Sequence, residues 1–126
     1  MNKESRHILV IQTAFIGDAV LTLPLFQILK QGYPSAEVDV VVVPRSAELF
    51  HNHPAITKIF EYDKRGRLRG IKGLFRIVNE VRQQGYDLAV IPHRSIRSAL
   101  LAKLARIPER IGFDTSGGRF LFTKSV

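Results

Sequence analysis

The sequence predicts an α/β protein with a Rossmann-like parallel sheet and helices on both of its faces. Apolar segments of strand length alternate with longer helical segments through the 126 residues, which is typical of parallel strands joined by right-handed crossovers. Residues 40–43 are continuously apolar and β-branched, as expected for a strand covered on both faces. Ligands of such sheets bind at the carboxyl ends of the strands, so we expect the functional residues in the loops there.

The predicted elements follow from hydrophobic spacing and turn residues. The strands are predicted at residues 7–12, 37–43, 57–62, 87–91, 109–113 and 120–123. The helices are predicted at residues 18–31, 46–50, 71–84 and 95–105. The apolar stripe of the first helix is predicted as Val20, Leu21, Leu25, Ile28 and Leu29, and that of the third as Leu74, Phe75, Ile77, Val78 and Val81. Ser46 and Ser95 are the predicted caps of the second and fourth helices.

Pro24 conflicts with an uninterrupted first helix, because it lacks a backbone donor and its ring clashes with the preceding turn. Either the helix kinks there, or it restarts with Thr22 as N-cap and Pro24 in its first turn. Both alternatives remain open from the sequence.

Length and composition indicate a single globular domain over residues 1–126. The apolar end of the chain lacks a helix to cover it, so we expect the sequence to be part of a longer protein. We also expect it to be cytoplasmic, because it shows no signal peptide or membrane-spanning stretch. The net charge of +8 favours an anionic partner, whether nucleic acid, a membrane surface or a phosphorylated substrate.

The first loop contains Gly17 and Asp18 between an apolar strand and a helix. A carboxylate at a helix entrance can act as an N-cap, which is the structural interpretation. It can also serve as a general base, because the helix end favours its ionised form. The loop lacks the G-x-G-x-x-G pattern of dinucleotide-binding domains, and no Walker A motif is present.

Two basic segments are candidate anion sites. Residues 64–76 contain six cations and no acid, namely Lys64, Arg65, Arg67, Arg69, Lys72 and Arg76. Arg94 and Arg97 flank a predicted helix start, where backbone amides favour anions. Solvated surface charge explains both segments about equally well. The loop at residues 63–70 has no interleaved aromatics, so single-stranded nucleic acid is not indicated. The histidines lack the spacing of a metal site.

Several motifs together resemble the heptosyltransferase family of lipopolysaccharide core synthesis, glycosyltransferase family 9. The most specific is Phe15-Ile16-Gly17-Asp18 followed by Leu21-Thr22-Leu23-Pro24-Leu25. Supporting matches are, in order, Tyr33-Pro34, Tyr86-Asp87-Leu88, Arg97-Ser98-Ala99 and Ile111-Gly112-Phe113. The resemblance covers essentially the whole chain.

This resemblance implies the N-terminal, acceptor-binding half of a two-domain GT-B glycosyltransferase. The family transfers heptose from ADP-heptose to the lipopolysaccharide inner core, with inversion and without a required metal or cofactor. Its catalytic aspartate follows the glycine of the first loop, which corresponds to Asp18. The nucleotide-sugar donor is expected to bind mainly to a C-terminal domain outside these residues.

The resemblance also implies an acidic glycolipid acceptor, and peripheral contact with the inner membrane face. The implied acceptor-binding residues are Gly17, Lys64, Arg65, Arg67, Arg69, Arg97 and Arg119. The alternative hypothesis is a non-catalytic basic α/β module that binds phosphorylated sugar or nucleic acid, of which nucleic acid is the less favoured.

Overall fold

A computed structural model describes residues 7–13, 16–62, 71–92, 96–112 and 124–125. This part of the chain contains one six-stranded sheet whose strand order is β3-β2-β1-β4-β5-β6. Every adjacent pair of strands is parallel. The strands are β1 His7–Gln12, β2 Glu37–Val42, β3 Ile59–Glu61, β4 Leu88–Ile91, β5 Glu109–Gly112 and β6 Lys124–Ser125.

Helices cover both faces of the sheet, as the sequence predicts. They are α1 Ile16–Gly32, α2 Ala47–His51, α3 Ile71–Arg82 and α4 Ile96–Leu104, with a short 3₁₀ helix at Pro44–Ser46 before α2. Phe26 of α1 and Phe50 of α2 pack against one face of the sheet. Val81 of α3 and Leu101 of α4 pack against the other face.

Most predicted strands and helices are confirmed, with shifts of one to two residues at their ends. Backbone hydrogen bonds of Thr57, Lys58 and Tyr62 with β2 flank β3, so pairing spans most of the predicted strand. Gly85 has φ of 70° just beyond α3, a left-handed conformation that suits a glycine ending a helix. The predicted strand at 120–123 lies outside the described residues. On the side away from β4, β5 pairs with β6 at Lys124–Ser125.

The helix restart at Pro24 is wrong, because α1 is one helix from Ile16 to Gly32. The hydroxyl of Thr22 accepts a hydrogen bond from Gln12 rather than capping a new helix. The start at Ile16 also moves Asp18 from the predicted helix entrance into the first turn. A carboxylate there still interacts favourably with the helix dipole.

Among the described side chains of the predicted apolar stripes, two are exposed. Ile28 is 61% exposed and Phe75 57% exposed. In α1 the buried side is centred on Phe26 and Leu29, and Ile28 falls about 130° from that centre on a helix of 3.6 residues per turn. Hydrophobicity alone therefore overestimated the width of both stripes.

The predicted cap at Ser46 is also wrong. Ser46 occupies the N-cap position of α2 but makes no side-chain capping hydrogen bond. It has φ of −94° and ψ of −8°, a helical conformation, because it is also the last residue of the 3₁₀ helix, whereas a capping residue is usually extended. Ser95, the other predicted cap, lies outside the described residues.

A buried carboxylate joins the strands at the amino edge of the sheet. Asp39 is fully buried in β2. Its Oδ1 accepts a hydrogen bond from the Lys58 backbone at 2.9 Å, and its Oδ2 accepts one from the Tyr86 hydroxyl at 2.5 Å. The His7 Nε2 lies 3.0 Å from the same Oδ2. These contacts connect β1, β2 and the segments before β3 and β4, and they supply the partners that a buried carboxylate requires.

No helix in the described part of the chain is long and apolar enough to cross a membrane.

We predict that stability falls in alkaline solution because of Tyr86. Burial raises the pKa of Tyr86, and the hydrogen bond and charge of Asp39 raise it further. The unfolded tyrosine ionises near pH 10 while the folded one stays neutral, so its stabilisation is complete below about pH 10 and declines above it. The decline should approach about 1.4 kcal/mol per pH unit.

Urea unfolding of the wild type and of Tyr86→Phe between neutral and alkaline pH measures this contribution. The variant should lose about 1–3 kcal/mol at neutral pH, because Asp39 loses a buried donor. It should also show a shallower alkaline decline than the wild type. If the free energy of unfolding fell equally steeply with pH in both proteins, a contribution of Tyr86 to the alkaline decline would be excluded.

Candidate functional site

A cleft is expected where β1 and β4 end, because the chain leaves these adjacent strands toward opposite faces of the sheet. The two strands pair in parallel, with Val10 opposite Val90. After β1 the chain enters α1 on one face, and after β4 it enters α4 on the other. This divergence is the topological switch point at which open α/β sheets bind ligands.

Buried polar side chains connect the elements at this edge. The Thr13 and Ser98 hydroxyl oxygens lie 2.9 Å apart and join the end of β1 to α4. The Gln12 Nε2 donates a hydrogen bond to the Thr22 hydroxyl at 2.6 Å, which joins β1 to α1. All four residues are at most 5% exposed. The two helices are therefore held against the same strand end by hydrogen bonds as well as by apolar packing.

Gly17 and Asp18 lie in the first turn of α1. Asp18 precedes Thr22 by four residues, which is one helical turn. Since Thr22 is held by Gln12, the backbone of Asp18 is fixed relative to the carboxyl end of β1. The structure thus places the predicted catalytic residue at the predicted edge of the sheet.

Arg97 lies in the first turn of α4 and directly precedes Ser98. The contact between Ser98 and Thr13 brings this turn close to the end of β1. The starts of α1 and α4, which carry Asp18 and Arg97, are therefore neighbours at one edge although they are 79 positions apart in the chain. The other predicted acceptor-binding residues lie outside the described residues: Lys64, Arg65, Arg67, Arg69 and Arg119.

Both helices direct their N-termini toward this edge, because each follows a parallel strand and runs back along the sheet. The first backbone amides of a helix are free to donate, and the helix dipole is positive there. The edge therefore favours anionic groups, whether on a ligand or on the protein itself. An acidic side chain and an anionic ligand can both be stabilised at such a site.

Sequence reasoning did not identify the hydrogen-bonded residues Gln12, Thr13, Thr22 and Ser98 as part of the site. The available signal was the position of Gln12 and Thr13, two polar residues at the carboxyl end of an otherwise apolar strand. Thr22 in the second turn of α1 and Ser98 in the first turn of α4 were the second part of that signal. Their pairing depends on strand order, which periodicity does not reveal.

Among the described residues no group of three or more His, Asp or Glu side chains is arranged to hold a metal ion. The expectation of metal-independent chemistry stays a prediction.

Comparison with known proteins identifies several heptosyltransferases as relatives. The lipooligosaccharide heptosyltransferase 2 of Haemophilus ducreyi is 34% identical over 110 residues, which cover 84% of this chain and 30% of the relative. The lipopolysaccharide heptosyltransferase 2 of Salmonella typhimurium is 29% identical over 106 residues, covering 84% and 30%. The chain thus spans about a third of the length of the curated relatives it matches. No protein-family model matches it.

Solved structures show the same fold. A glycosyl transferase family 9 protein from Veillonella parvula superimposes with a TM-score of 0.89 at 24% identity, over 100% of this chain and 36% of that one. The ADP-heptose lipopolysaccharide heptosyltransferase II of Escherichia coli gives a TM-score of 0.79 at 26% identity, over 95% and 34%. The predicted fold, a Rossmann-like N-terminal half of a GT-B glycosyltransferase, is confirmed, as is the resemblance to the heptosyltransferase family.

We predict that the contact between Thr13 and Ser98 stabilises the edge cooperatively. Thr13→Val and Ser98→Ala should each lower the free energy of unfolding by about 1–2 kcal/mol. Each substitution removes one hydroxyl of the buried pair, so the other hydroxyl loses this hydrogen bond. The double variant should lose less than the sum of the two, with a coupling of about 0.5–1.5 kcal/mol. Urea unfolding of the four proteins measures the cycle.

Thr57→Val provides the matched control, because Thr57 is exposed and lies toward the amino edge of the sheet beside Val38. Combined with Thr13→Val, it should be additive within about 0.5 kcal/mol. Additive effects of Thr13→Val and Ser98→Ala would contradict the proposed coupling.

Proposed function

From the relationship of this chain to the glycosyltransferase family 9 heptosyltransferases, we propose that it forms the acceptor-binding part of an inverting glycosyltransferase. The full protein would move heptose from ADP-heptose to the inner core of lipopolysaccharide. The observation that carries the proposal is the position of Gly17 and Asp18 in the first turn of α1, at the edge where β1 and β4 diverge. The names of the relatives supply the reaction class.

Asp18 is proposed as the general base. Its carboxylate takes the proton of an acceptor hydroxyl while that oxygen attacks the anomeric carbon of the donor heptose. The bond between this carbon and the ADP oxygen breaks, and ADP leaves with the bonding electrons. Attack from the side opposite ADP inverts the anomeric configuration. The start of α1 supports this role because its dipole favours the ionised carboxylate.

The basic residues are proposed to hold the acidic acceptor. Arginine presents a planar fork that matches phosphate and carboxylate groups, and lysine adds a flexible point charge. Arg97 is supported in this role by its position in the first turn of α4 beside Ser98. The same role for Lys64, Arg65, Arg67, Arg69 and Arg119 rests on the sequence, and Gly17 would let the acceptor approach the backbone closely.

The nucleotide-sugar donor is proposed to bind mainly to parts of the protein beyond this chain. Relatives about three times as long leave ample room for such a domain. The reaction as written needs no cofactor, because the only groups exchanged are a proton and the heptosyl unit. A glycolipid acceptor places the proposed reaction at a membrane surface, and we propose that this is the cytoplasmic face of the inner membrane.

We predict that Asp18→Asn in the full-length protein lowers kcat by roughly 10²- to 10⁴-fold, the usual contribution of a general base. Acceptor binding should change little, because the amide has nearly the same size and keeps a polar acceptor. Steady-state release of ADP from ADP-heptose, measured with purified glycolipid acceptor, separates kcat from KM.

Glu48→Gln is the matched control, since Glu48 is also an acidic residue in the first turn of a helix but lies on the exposed side of α2. It should leave kcat unchanged. Wild-type turnover in Asp18→Asn would reduce Asp18 to a structural residue of α1. Tighter binding of short nucleic acids than of acidic glycolipid at physiological salt would favour a non-catalytic basic module instead.

A further inference from the structure

Helix α3 has two unlike sides. Leu74, Ile77, Val78 and Val81 face the sheet and are buried. The opposite side carries Lys72, Phe75, Arg76 and Arg82, all exposed. Phe75 leaves 57% of its surface in water although its own helix has a complete buried stripe. The phenyl ring is therefore available to a partner without any change in the core.

Helix α4 extends this surface. The Arg82 Nη2 donates a hydrogen bond to the Leu104 carbonyl oxygen at 3.3 Å, which joins the ends of the two helices. Lys103 and Arg106 are exposed beside this contact. We name the combined surface the α3–α4 face and define it by Lys72, Phe75, Arg76, Arg82, Lys103 and Arg106.

The α3–α4 face is strongly cationic. It contains five cations. The described side chains of these helices and of the turn after α4 include one carboxylate, that of Glu80, whose Oε1 lies 3.6 Å from the Arg76 Nε. The helices on the other side of the sheet differ. Their described side chains include Lys30, Arg45 and Glu48 as the charged groups, and the Lys30 ammonium is bonded to the Ala36 carbonyl oxygen.

We propose that the α3–α4 face docks on the surface of an anionic lipid bilayer. Cations of such a face attract headgroup phosphates, and an aromatic ring suits the boundary between headgroups and acyl chains. The combination of basic residues and an exposed apolar side chain on one helix is typical of interfacial binding. A second copy of the chain fits less well, because it would bring two sets of like charges together.

A nucleic acid is also a weaker match. Single-stranded nucleic acid is bound by several aromatic rings on which successive bases stack, whereas the α3–α4 face has one ring among its six defining residues. Isolated exposed apolar residues are common on soluble proteins, and Ile28 on the opposite side is of that kind. What distinguishes Phe75 is the surrounding charge.

This docking adds a membrane orientation to the proposed function, and the biological meaning of the docking rests on that function. Helices α3 and α4 both begin at the carboxyl edge of the sheet. A bilayer against their outer face would therefore lie beside the edge that carries Asp18 and Arg97. The sugar of a membrane-anchored glycolipid would reach that edge while its lipid part stays in the membrane.

Vesicle flotation with the 126-residue chain tests the proposal without donor, acceptor or turnover. The chain should float with phosphatidylcholine vesicles that contain phosphatidylglycerol, and should bind pure phosphatidylcholine vesicles at least about fivefold more weakly. Phe75→Ala and Lys72→Gln should each weaken binding to the anionic vesicles about threefold or more, since one removes the ring and the other a cation. Circular dichroism confirms that the variants are folded.

The opposite side of the sheet supplies matched controls. Ile28→Ala removes an equally exposed apolar side chain, and Arg45→Gln an exposed cation. Both should bind anionic vesicles like the wild type. The proposal fails if Phe75→Ala binds like the wild type, if the control variants lose as much affinity, or if neutral vesicles bind equally well. It also fails if Phe75→Ala changes only the oligomeric state, which would identify a second copy as the partner.

The two proposals can fail separately. Normal vesicle binding with unaffected turnover in Asp18→Asn would retain the docking face and reject the catalytic role. Loss of turnover in Asp18→Asn with no vesicle binding would do the reverse.

Discussion

Strand β1 pairs with β2 on one side and with β4 on the other, and the candidate site depends on this double pairing. Both faces of the strand are buried, because Ile8 and Val10 face one helical layer while Leu9 and Ile11 face the other. A strand so enclosed can satisfy its backbone groups only through its neighbours, which explains its full parallel register with β2. The chain then leaves β1 and β4 toward opposite layers, and this opens the edge where α1 and α4 begin.

Polar groups are buried at both ends of the central strands, with different consequences. At the amino edge Asp39 accepts hydrogen bonds from Tyr86 and the Lys58 backbone. A buried carboxylate with several partners is costly to disturb, so it favours one strand arrangement over others. At the carboxyl edge the contacts are between neutral side chains of Gln12, Thr13, Thr22 and Ser98. They join α1 and α4 to the end of β1, at the edge where helix N-termini favour anions.

Only the folded state shows how the positive charges of the chain are distributed over its surface. The net charge of +8 is a property of composition and is compatible with several anionic partners. Folding places five cations with an exposed phenyl ring on the outer side of α3 and α4. The opposite helices have a smaller excess of cations among their described side chains. One orientation of this domain would satisfy both proposals, with the lipid surface against the α3–α4 face and the glycolipid head at the edge where α1 and α4 begin.

The sequence by itself determined the fold class, the order of the elements and the position of Asp18 after an apolar strand. These follow from hydrophobic periodicity and from the motif around Gly17, which are local properties of the chain. The tertiary structure alone decided the pairing of Thr13 with Ser98, the burial of Asp39 and the exposure of Phe75. Each depends on which elements become neighbours, because a residue 85 positions away can supply a hydrogen bond and a neighbouring layer can leave an apolar side chain uncovered. The first loop therefore indicated the edge of the sheet at which a site is predicted, and only the packing of α1 and α4 against β1 showed how that edge is held.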